Sequence, residues 1–465
     1  MTKPTQCRLV KARSLRHNTV MMGLDLERFR GERGQIHCVG VAGVGTLPLA
    51  QIFLENGFRV SGSDLLSTPG TEALRAAGAD VYQGHSADNL PSPEKELLLI
   101  HTSAATPENP ELAAASARSN ALLLRRGNAL AVLATLYRRV VSVSGSHGKT
   151  SVSGLLAYLF REAGLHPGYL VGGFLTGEDG RNGEAGQGND LFVTEVDESD
   201  GTHTAMFSHI GIVTNVEDDH AWSVGGAEQL YANFQQYARQ AKTLIYVGSP
   251  RTDALFADHP NAVRLDPDLS THQEELALFD PETLSCWGSW QKLNAITALA
   301  AAKAAGIDPA LAASILSRFP GVERRMSLRF KNEKFTIMED YAHHPTELQA
   351  SLTAFREIFP DRRLVVLFQP HRYARLERYF SEFSEVLRLA DRVFVTPVFA
   401  AWTASGKYSS ADLAAATGAM ARAVSGSWDE IAENISGELQ HGDLVAIIGA
   451  GDLKDVIEPL KKRLI

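Results

Sequence analysis

Three consecutive α/β domains, each built around a parallel sheet with helices between its strands, are what this sequence predicts. Strand-like apolar runs alternate with helix-like stretches along the chain, glycine-rich turns follow the first strand of the first two blocks, and 465 residues exceed what one hydrophobic core serves. Hydrophobic residues make up 44% of the chain, which is material for several cores.

The elements fall in three blocks. In the first, residues 35–137, a strand opening at Gln35 enters the glycine turn Gly40 to Gly45, and strands follow at Phe58 to Asp64 and Glu96 to Ser103. This is a βαβ pattern, so the domain is expected to be Rossmann-like. The second block, residues 138–323, opens with a buried-type strand from Arg139 that turns through glycines into a helix from Val152 to Ala163. Strands at Asp190 to Asp197 and His209 to Val216 follow, and later an alanine-rich helix from Lys292 to Ala305; Thr176 to Asn189 reads as a surface loop. The third block, residues 324–465, has strands at Lys334 to Asp340, Arg363 to Pro370, Arg392 to Phe399 and Asp443 to Ala450, and is again expected to be Rossmann-like. Residues 1–34 read as an N-terminal extension, basic at its start but without the apolar stretch of a signal peptide.

Composition excludes several classes. A net charge of -9 and a pI near 5.9 argue against nucleic acid as partner, because polyanion binders carry a basic surplus that displaces counterions. An anionic substrate must then be held by a local cluster of cations. Cys7, Cys38 and Cys286 are too few and too scattered for a disulfide framework or a tetrahedral zinc site, which points to a reducing, cytoplasmic setting. No stretch approaches the ~20 apolar residues that span a bilayer, so no membrane partner is expected.

The most informative motif is Gly145-Ser146-His147-Gly148-Lys149-Thr150, followed by Ser151, because it lies between a strand and a helix. There backbone amides and the helix N-terminus attract phosphate, Lys149 neutralises β- and γ-oxygens, and the Thr150 hydroxyl can ligate magnesium. The glycine that such loops carry five residues before the Gly-Lys pair is Val143 here, and a plain glycine turn into a helix is the competing reading. Magnesium needs only one or two carboxylates besides phosphate oxygens. Two acidic runs, Glu195 to Asp200 and Glu217 to His220, end buried-type strands of the same block and are expected at its carboxyl edge. The central block is therefore expected to be a P-loop ATPase-like α/β domain using ATP and Mg2+.

With these motifs stand others in one order from Ile36 to the C-terminus: VSGSD, FPGVERR, EDYAHHPTE, FQPHRYAR and IGAGD. Together they resemble the muramyl (Mur) ligase family of peptidoglycan synthesis, within it the branch that adds L-alanine. The resemblance implies a UDP-sugar-binding N-terminal domain, an ATP-binding central domain and a C-terminal domain that closes over both and receives the amino acid. It implies an ATP-dependent ligase that joins L-alanine to the carboxylate of UDP-N-acetylmuramate through an acyl phosphate, as a monomer or homodimer. Carried over by position, Lys149 and Thr150 hold phosphate and metal, and Glu195 and His220 are metal ligands. Asn294 meets adenine, and Arg325 and Asp340 fall toward the nucleotide. Tyr341, His343, Arg372 and Arg375 handle the amino acid and the sugar-linked carboxylate; Gly43, Gly45, Asp64, Ser103 and Arg126 serve the UDP-sugar. Lys149, Glu195, His220, Arg325 and His343 are the candidate catalytic set.

The chemistry asks for the same groups. A carboxylate attacking ATP is repelled by the phosphate charge, so cations must screen it, and the amine must lose a proton to a base such as His343 or a carboxylate before it attacks. Arg372 and Arg375 can grip carboxylates bidentately. Departures from the family pattern bear on specificity: Ala42 replaces a glycine of the first turn, Trp290 and Gln291 precede the adenine asparagine, Thr202-His203 replaces Ser-Phe, and Trp402 to Ser410 lacks acidic residues. Rival readings are a ligase that recycles an intact tripeptide onto the same UDP-sugar, a P-loop switch protein, and a dinucleotide-dependent oxidoreductase suggested by Gly40 to Gly45 with Asp64 about twenty residues on.

Overall fold

The computed structural model describes residues 24–177, 181–401 and 405–465; most of the expected extension, Cys7 and the start of the Trp402 segment lie outside them. The described part of the extension folds. Its short turn Leu26–Phe29 buries Leu26 and Phe29 in the same core as Ile36 and Cys38, so the folded chain begins ahead of residue 35. A single turn carries no periodicity, and nothing in the sequence separates it from a tail.

Three sheets order the chain. The first contains β1 (Gly34–Val39), β2 (Val60–Asp64), β3 (Asp80–Gln83), β4 (Glu96–His101) and β5 (Ala121–Arg125), all parallel, in the order β3-β2-β1-β4-β5. The order reverses between β1 and β4, which opens a crevice at the carboxyl edge. The second contains β6 (Arg139–Ser144), β7 (Gly168–Leu170), β8 (Gly183–Glu184), β9 (Leu191–Glu195), β10 (Ser208–Val213), β11 (Ala241–Val247) and β12 (Ala262–Leu265), in the order β12-β11-β10-β6-β9-β7-β8. The third contains β13 (Ser327–Lys331), β14 (Thr336–Asp340), β15 (Leu364–Phe368), β16 (Arg392–Val395), β17 (Ala421–Ala423) and β18 (Leu444–Ile448), in the order β13-β14-β18-β15-β16-β17.

The described residues form two compact units, those up to 278 with 294–320 and those of 279–293 with 321–465. In the first unit one continuous apolar core joins Ile36, Phe53 and Leu98 of the first sheet's domain to Val140, Phe192 and Leu244 of the second's. In the second unit the central strands are buried on both faces, with Leu364, Val366 and Phe368 in one core and Val365 and Leu367 in the other. That two-sided burial is why β15 and β18 read as continuous apolar runs.

Several strands escape a reading of apolar runs. β3, β12 and β13 are edge strands with mostly exposed side chains, and β13 and β8 run antiparallel to their neighbours. The expected loop from Thr176 to Asn189 needs one correction: it contains β8, and the buried Asn182 amide donates to the carbonyls of Val44 and Val171. The expected helix from Val152 starts earlier, at Lys149, with Gly148 as its N-cap residue. Lys149 and Thr150 thus sit in its first turn. Among the described residues no helix is long and apolar enough to cross a membrane.

Candidate active site

The loop after β6 is shaped by two glycines in the left-handed region, Gly145 at φ 132° and Gly148 at φ 83°. A Cβ on Gly145 would come 2.1 Å from Thr214 Oγ1, so only glycine fits there. The segment after β10 holds the loop from below: Ser146 N donates to the Asn215 carbonyl (3.1 Å), His147 N to Asn215 Oδ1 (2.9 Å), and Thr214 Oγ1 to the His147 carbonyl (2.6 Å). The amides of Ser146 and His147 are thus engaged within the protein. The first-turn amides of the helix Lys149–Glu162, where Thr150 and Ser151 lie, have no side-chain cap, and a helix start of that kind attracts an anion. Asn294 lies against the same loop, for a Cβ on Gly148 would meet its Oδ1 at 3.3 Å.

Lys149 lies among carboxylates. Its Nζ donates to the carbonyls of Gly145 (2.6 Å) and Ser146 (3.2 Å) and pairs with Glu198 Oε2 at 2.9 Å. Burial works against the charge, but the carboxylates of Glu198, Glu195 and Asp197 outweigh it and hold the ammonium above its ordinary pKa. Glu198 is itself 1% exposed, and burial pushes its pKa up to about 7 against the pull of Lys149. Its other oxygen, Oε1, is 3.8 Å from His220 Nε2. Glu195, at the end of β9, accepts from Thr150 Oγ1 at 2.8 Å and from Gly172 N at 2.9 Å. The strands β9 and β10 flank β6 on either side, so Lys149, Thr150, Glu195 and His220 gather at one sheet edge through the strand order alone.

The residues expected to serve the UDP-sugar gather at the carboxyl edge of the first sheet. Asp64 ends β2 and accepts from Ala42 N (2.9 Å) and Leu66 N (3.2 Å), which pins the glycine turn that holds Gly43 and Gly45. Arg126, just after β5, packs over Gly45, where a Cβ would fall 2.9 Å from its Nη1, and reaches Asp197 Oδ2 at 3.4 Å. Ser103 is exposed beyond β4.

The second unit holds a cluster of opposite sign at the carboxyl ends of β14, β18 and β15. Arg324 donates to Glu339 Oε1 (2.8 Å) and to the carbonyls of Gly449 (2.8 Å) and Gly451 (3.1 Å), while its guanidinium and that of Arg325 lie 4.8 and 5.1 Å from the Tyr341 ring. Arg372, at φ 68°, precedes the helix Tyr373–Arg378, from which Arg375 Nη1 donates to His371 Nδ1 at 3.4 Å. His343 meets the His371 ring edge-on at 5.6 Å, and His371 stacks on Phe399 at 5.4 Å. Burial first, then the neighbouring His343, Arg372, Arg375 and Arg324, depress the His371 pKa to about 3. Burial likewise lowers His343 to about 4, although Glu347 opposes it. Asp340, expected to fall toward the nucleotide, ends β14. It is buried, with its oxygens accepting from Met326 N, Ala342 N and Ser351 Oγ, so in this unit it sets the turn that carries Arg325.

Asp197 and Glu198 were marked only as part of the acidic run Glu195 to Asp200, and Arg324, His371 and Glu347 belong to these clusters without standing out in sequence. Each lies within a motif beside a residue of the same type or beside a stronger signal. Only Glu347 carried a further mark, the acidic third position of a helix start.

A glycine loop with a largely buried lysine and hard oxygen donors on one sheet, and paired arginines with neutral histidines on another, suit phosphoryl activation of an acid followed by capture of an amine. The family model described as "Mur ligase family, catalytic domain" matches residues 35–138, and "Mur ligase, glutamate ligase domain" matches residues 324–451. The chain belongs to the Mur ligase family, ATP-dependent ligases that form amide bonds. It is 35% identical over 442 residues to a UDP-N-acetylmuramate--L-alanine ligase of Synechococcus sp. (strain JA-3-3Ab), covering 90% of this chain and 85% of that protein. Against the ligase of the same name from Gloeobacter violaceus it is 35% identical over 447 residues, covering 92% and 95%. Among solved structures it resembles the UDP-N-acetylmuramate-alanine ligase MurC of Thermotoga maritima, with TM-score 0.73, 24% identity, and coverage of 92% and 99%. A murein peptide ligase, mpl, from Psychrobacter arcticus shares the fold with TM-score 0.62 and 20% identity over 92% of this chain and 98% of that one. Family membership overturns the oxidoreductase and switch-protein readings; Asp64 caps its own turn instead of marking a nicotinamide cofactor.

Proposed function

We propose that this chain joins L-alanine to the lactyl carboxylate of UDP-N-acetylmuramate, using ATP and magnesium, as a step of peptidoglycan precursor synthesis in the cytoplasm. The observation that carries the nucleotide chemistry is Lys149, largely buried and held charged at the start of a helix whose first-turn amides have no side-chain cap. In this reading residues 35–137 bind the UDP-sugar, residues 138–323 bind ATP and residues 324–465 receive the amino acid.

Magnesium fits the donors present. Thr150 Oγ1 and Glu195 Oε2 are hard oxygens 2.8 Å apart, and His220 stands at the end of the neighbouring strand's acidic run. When bound there, the ion supplies charge to screen the phosphate oxygens. Lys149 neutralises the transferring phosphoryl group, the loop from Gly145 through Ser151 holds the nucleotide's phosphates, Asn294 meets the base, and Arg325 offers a further cation. Gly43, Gly45, Asp64, Ser103 and Arg126 form the UDP-sugar site. The substrate carboxylate forms a bond to the γ-phosphorus, ADP leaves, and the amine then displaces phosphate from the acyl carbon. Arg372 and Arg375 grip the amino acid's carboxylate, and Tyr341 and His343 line its amine.

Both curated relatives reported above carry the L-alanine name. Phosphate release by the purified protein with ATP, Mg2+ and UDP-N-acetylmuramate, comparing L-alanine, L-serine, glycine and the tripeptide, tests the assignment. Stimulation by L-alanine above the others is expected. Turnover with the tripeptide alone would transfer the chain to the recycling branch.

A further inference from the structure

The histidine at the start of the third domain's first helix is held in one orientation by its own neighbours. His343 Nδ1 lies 3.1 Å from the Tyr341 carbonyl and 3.2 Å from Glu347 Oε2. A carbonyl oxygen cannot donate, so Nδ1 carries the hydrogen and Nε2 keeps the lone pair. Both polar contacts of the ring therefore run through one nitrogen, and the other is left as a base.

Glu347 is fixed independently of the ring. It is the third residue of the helix Pro345–Ile358, and its Oε2 accepts from His343 N (3.0 Å) and His344 N (3.3 Å), while Oε1 lies 4.0 Å from Arg325 Nη1. The groups facing His343 from the other elements are cationic or neutral: Arg325 from the turn before β13, Arg375 from the helix Tyr373–Arg378, His371 from the segment after β15, and Tyr341 beside it. Glu347 is thus the anion among these neighbours, and it touches the proton-bearing nitrogen.

We infer that Glu347 is a positioning residue that fixes the His343 tautomer and stabilises the imidazolium, which makes His343 Nε2 the base for the incoming amine. The inference rests on the ligase reading above. The ammonium of the amino acid gives one proton to Nε2, and the neutral amine then forms the C–N bond at the acyl carbon. The C–O bond to phosphate breaks with its electron pair, the second nitrogen proton leaves with the phosphate, and His343 returns its own to solvent. Glu347 takes no proton in any of these steps. Its carboxylate offsets the charge that appears on the ring, as an orienting acid does for other catalytic histidines. Burial keeps the ring neutral before substrate arrives, and the carboxylate limits how far its basicity falls.

The test uses the full chain with Glu347→Gln, which keeps an oxygen to cap the helix and removes the charge. Hydroxylamine capture of the acyl phosphate, with ATP, Mg2+ and UDP-N-acetylmuramate but no amino acid, reads the first half-reaction and should stay within about twofold of the parent. Amide formation should fall about 10-fold or more in kcat with little change in KM for L-alanine, and the acid limb of its pH profile should move to lower pH. Glu347→Asp, which keeps charge and cap, should leave that limb in place with a smaller fall in kcat, and it supplies the test if the glutamine variant does not fold. An unmoved pH profile with parental kcat in Glu347→Gln, or capture and amide formation falling together, would overturn the role. Failure of the parent protein to yield hydroxamate would instead strike the ligase reading itself.

Discussion

The phosphate-loop edge of the central sheet and the arginine edge of the C-terminal sheet are electrostatic opposites. At the first, a largely buried lysine stands among Glu195, Asp197 and Glu198; at the second, Arg324, Arg325, Arg372 and Arg375 surround the neutral His343 and His371, with Glu347 as a nearby carboxylate. The same strand-loop-helix geometry produced both. What differs is which charges the loops carry, and the difference follows the chemistry: carboxylates suit a divalent cation with a polyphosphate, and guanidiniums suit a carboxylate and keep a histidine unprotonated.

The comparison breaks most easily at Lys149. Its replacement by Ala should remove about 3 to 4 kcal/mol of transition-state stabilisation, read as a fall of about 10²–10³ in kcat, by analogy with lost electrostatic groups elsewhere. An unchanged rate would mean that the acidic edge does not handle phosphate. Gly145→Ala probes the shape of the same edge. With φ at 132° and Thr214 Oγ1 2.1 Å from the new Cβ, it should cost about 3 kcal/mol or more in thermal or denaturant unfolding. On the basic edge, Arg375→Ala should raise KM for L-alanine with a loss of about 2 kcal/mol in kcat/KM, the scale of one charged hydrogen bond, and should leave hydroxamate capture nearly intact. A loss confined to the capture step would move Arg375 to the other half-reaction.

The smallest expected effect concerns His203, a neutral histidine of the first unit that feels both Asp197 and Lys149. It is fully buried against Phe234 and Tyr237, neither ring nitrogen has a hydrogen-bond partner among the described residues, and burial lowers its pKa to about 3. The folded pKa is below the unfolded value near 6.5, so the unfolded chain takes the proton first. The associated stability is whole above pH 6.5 and drains away as pH falls toward 3. His203→Phe should therefore gain about 2 kcal/mol more over the parent at pH 5 than at pH 8 in denaturant unfolding. An equal gain at both pH values would mean that the native histidine is protonated.

The glycine turns, the lysine loop and the acidic and basic motifs were legible because each needs particular residue types at short spacing, and local backbone chemistry reads them directly. Central strands such as β15 and β18 were legible for a related reason, since burial on both faces demands an unbroken apolar run. Edge strands were not, because β3, β12 and β13 make half their contacts with solvent. Only the tertiary structure decided that strand order brings β9 and β10 to either side of β6, so that Glu198 reaches both Lys149 and His220. It also decided which nitrogen of His343 carries its hydrogen and that Asp340 is occupied within its own unit. Those outcomes depend on burial and on neighbours far apart in the chain, which composition and spacing do not encode.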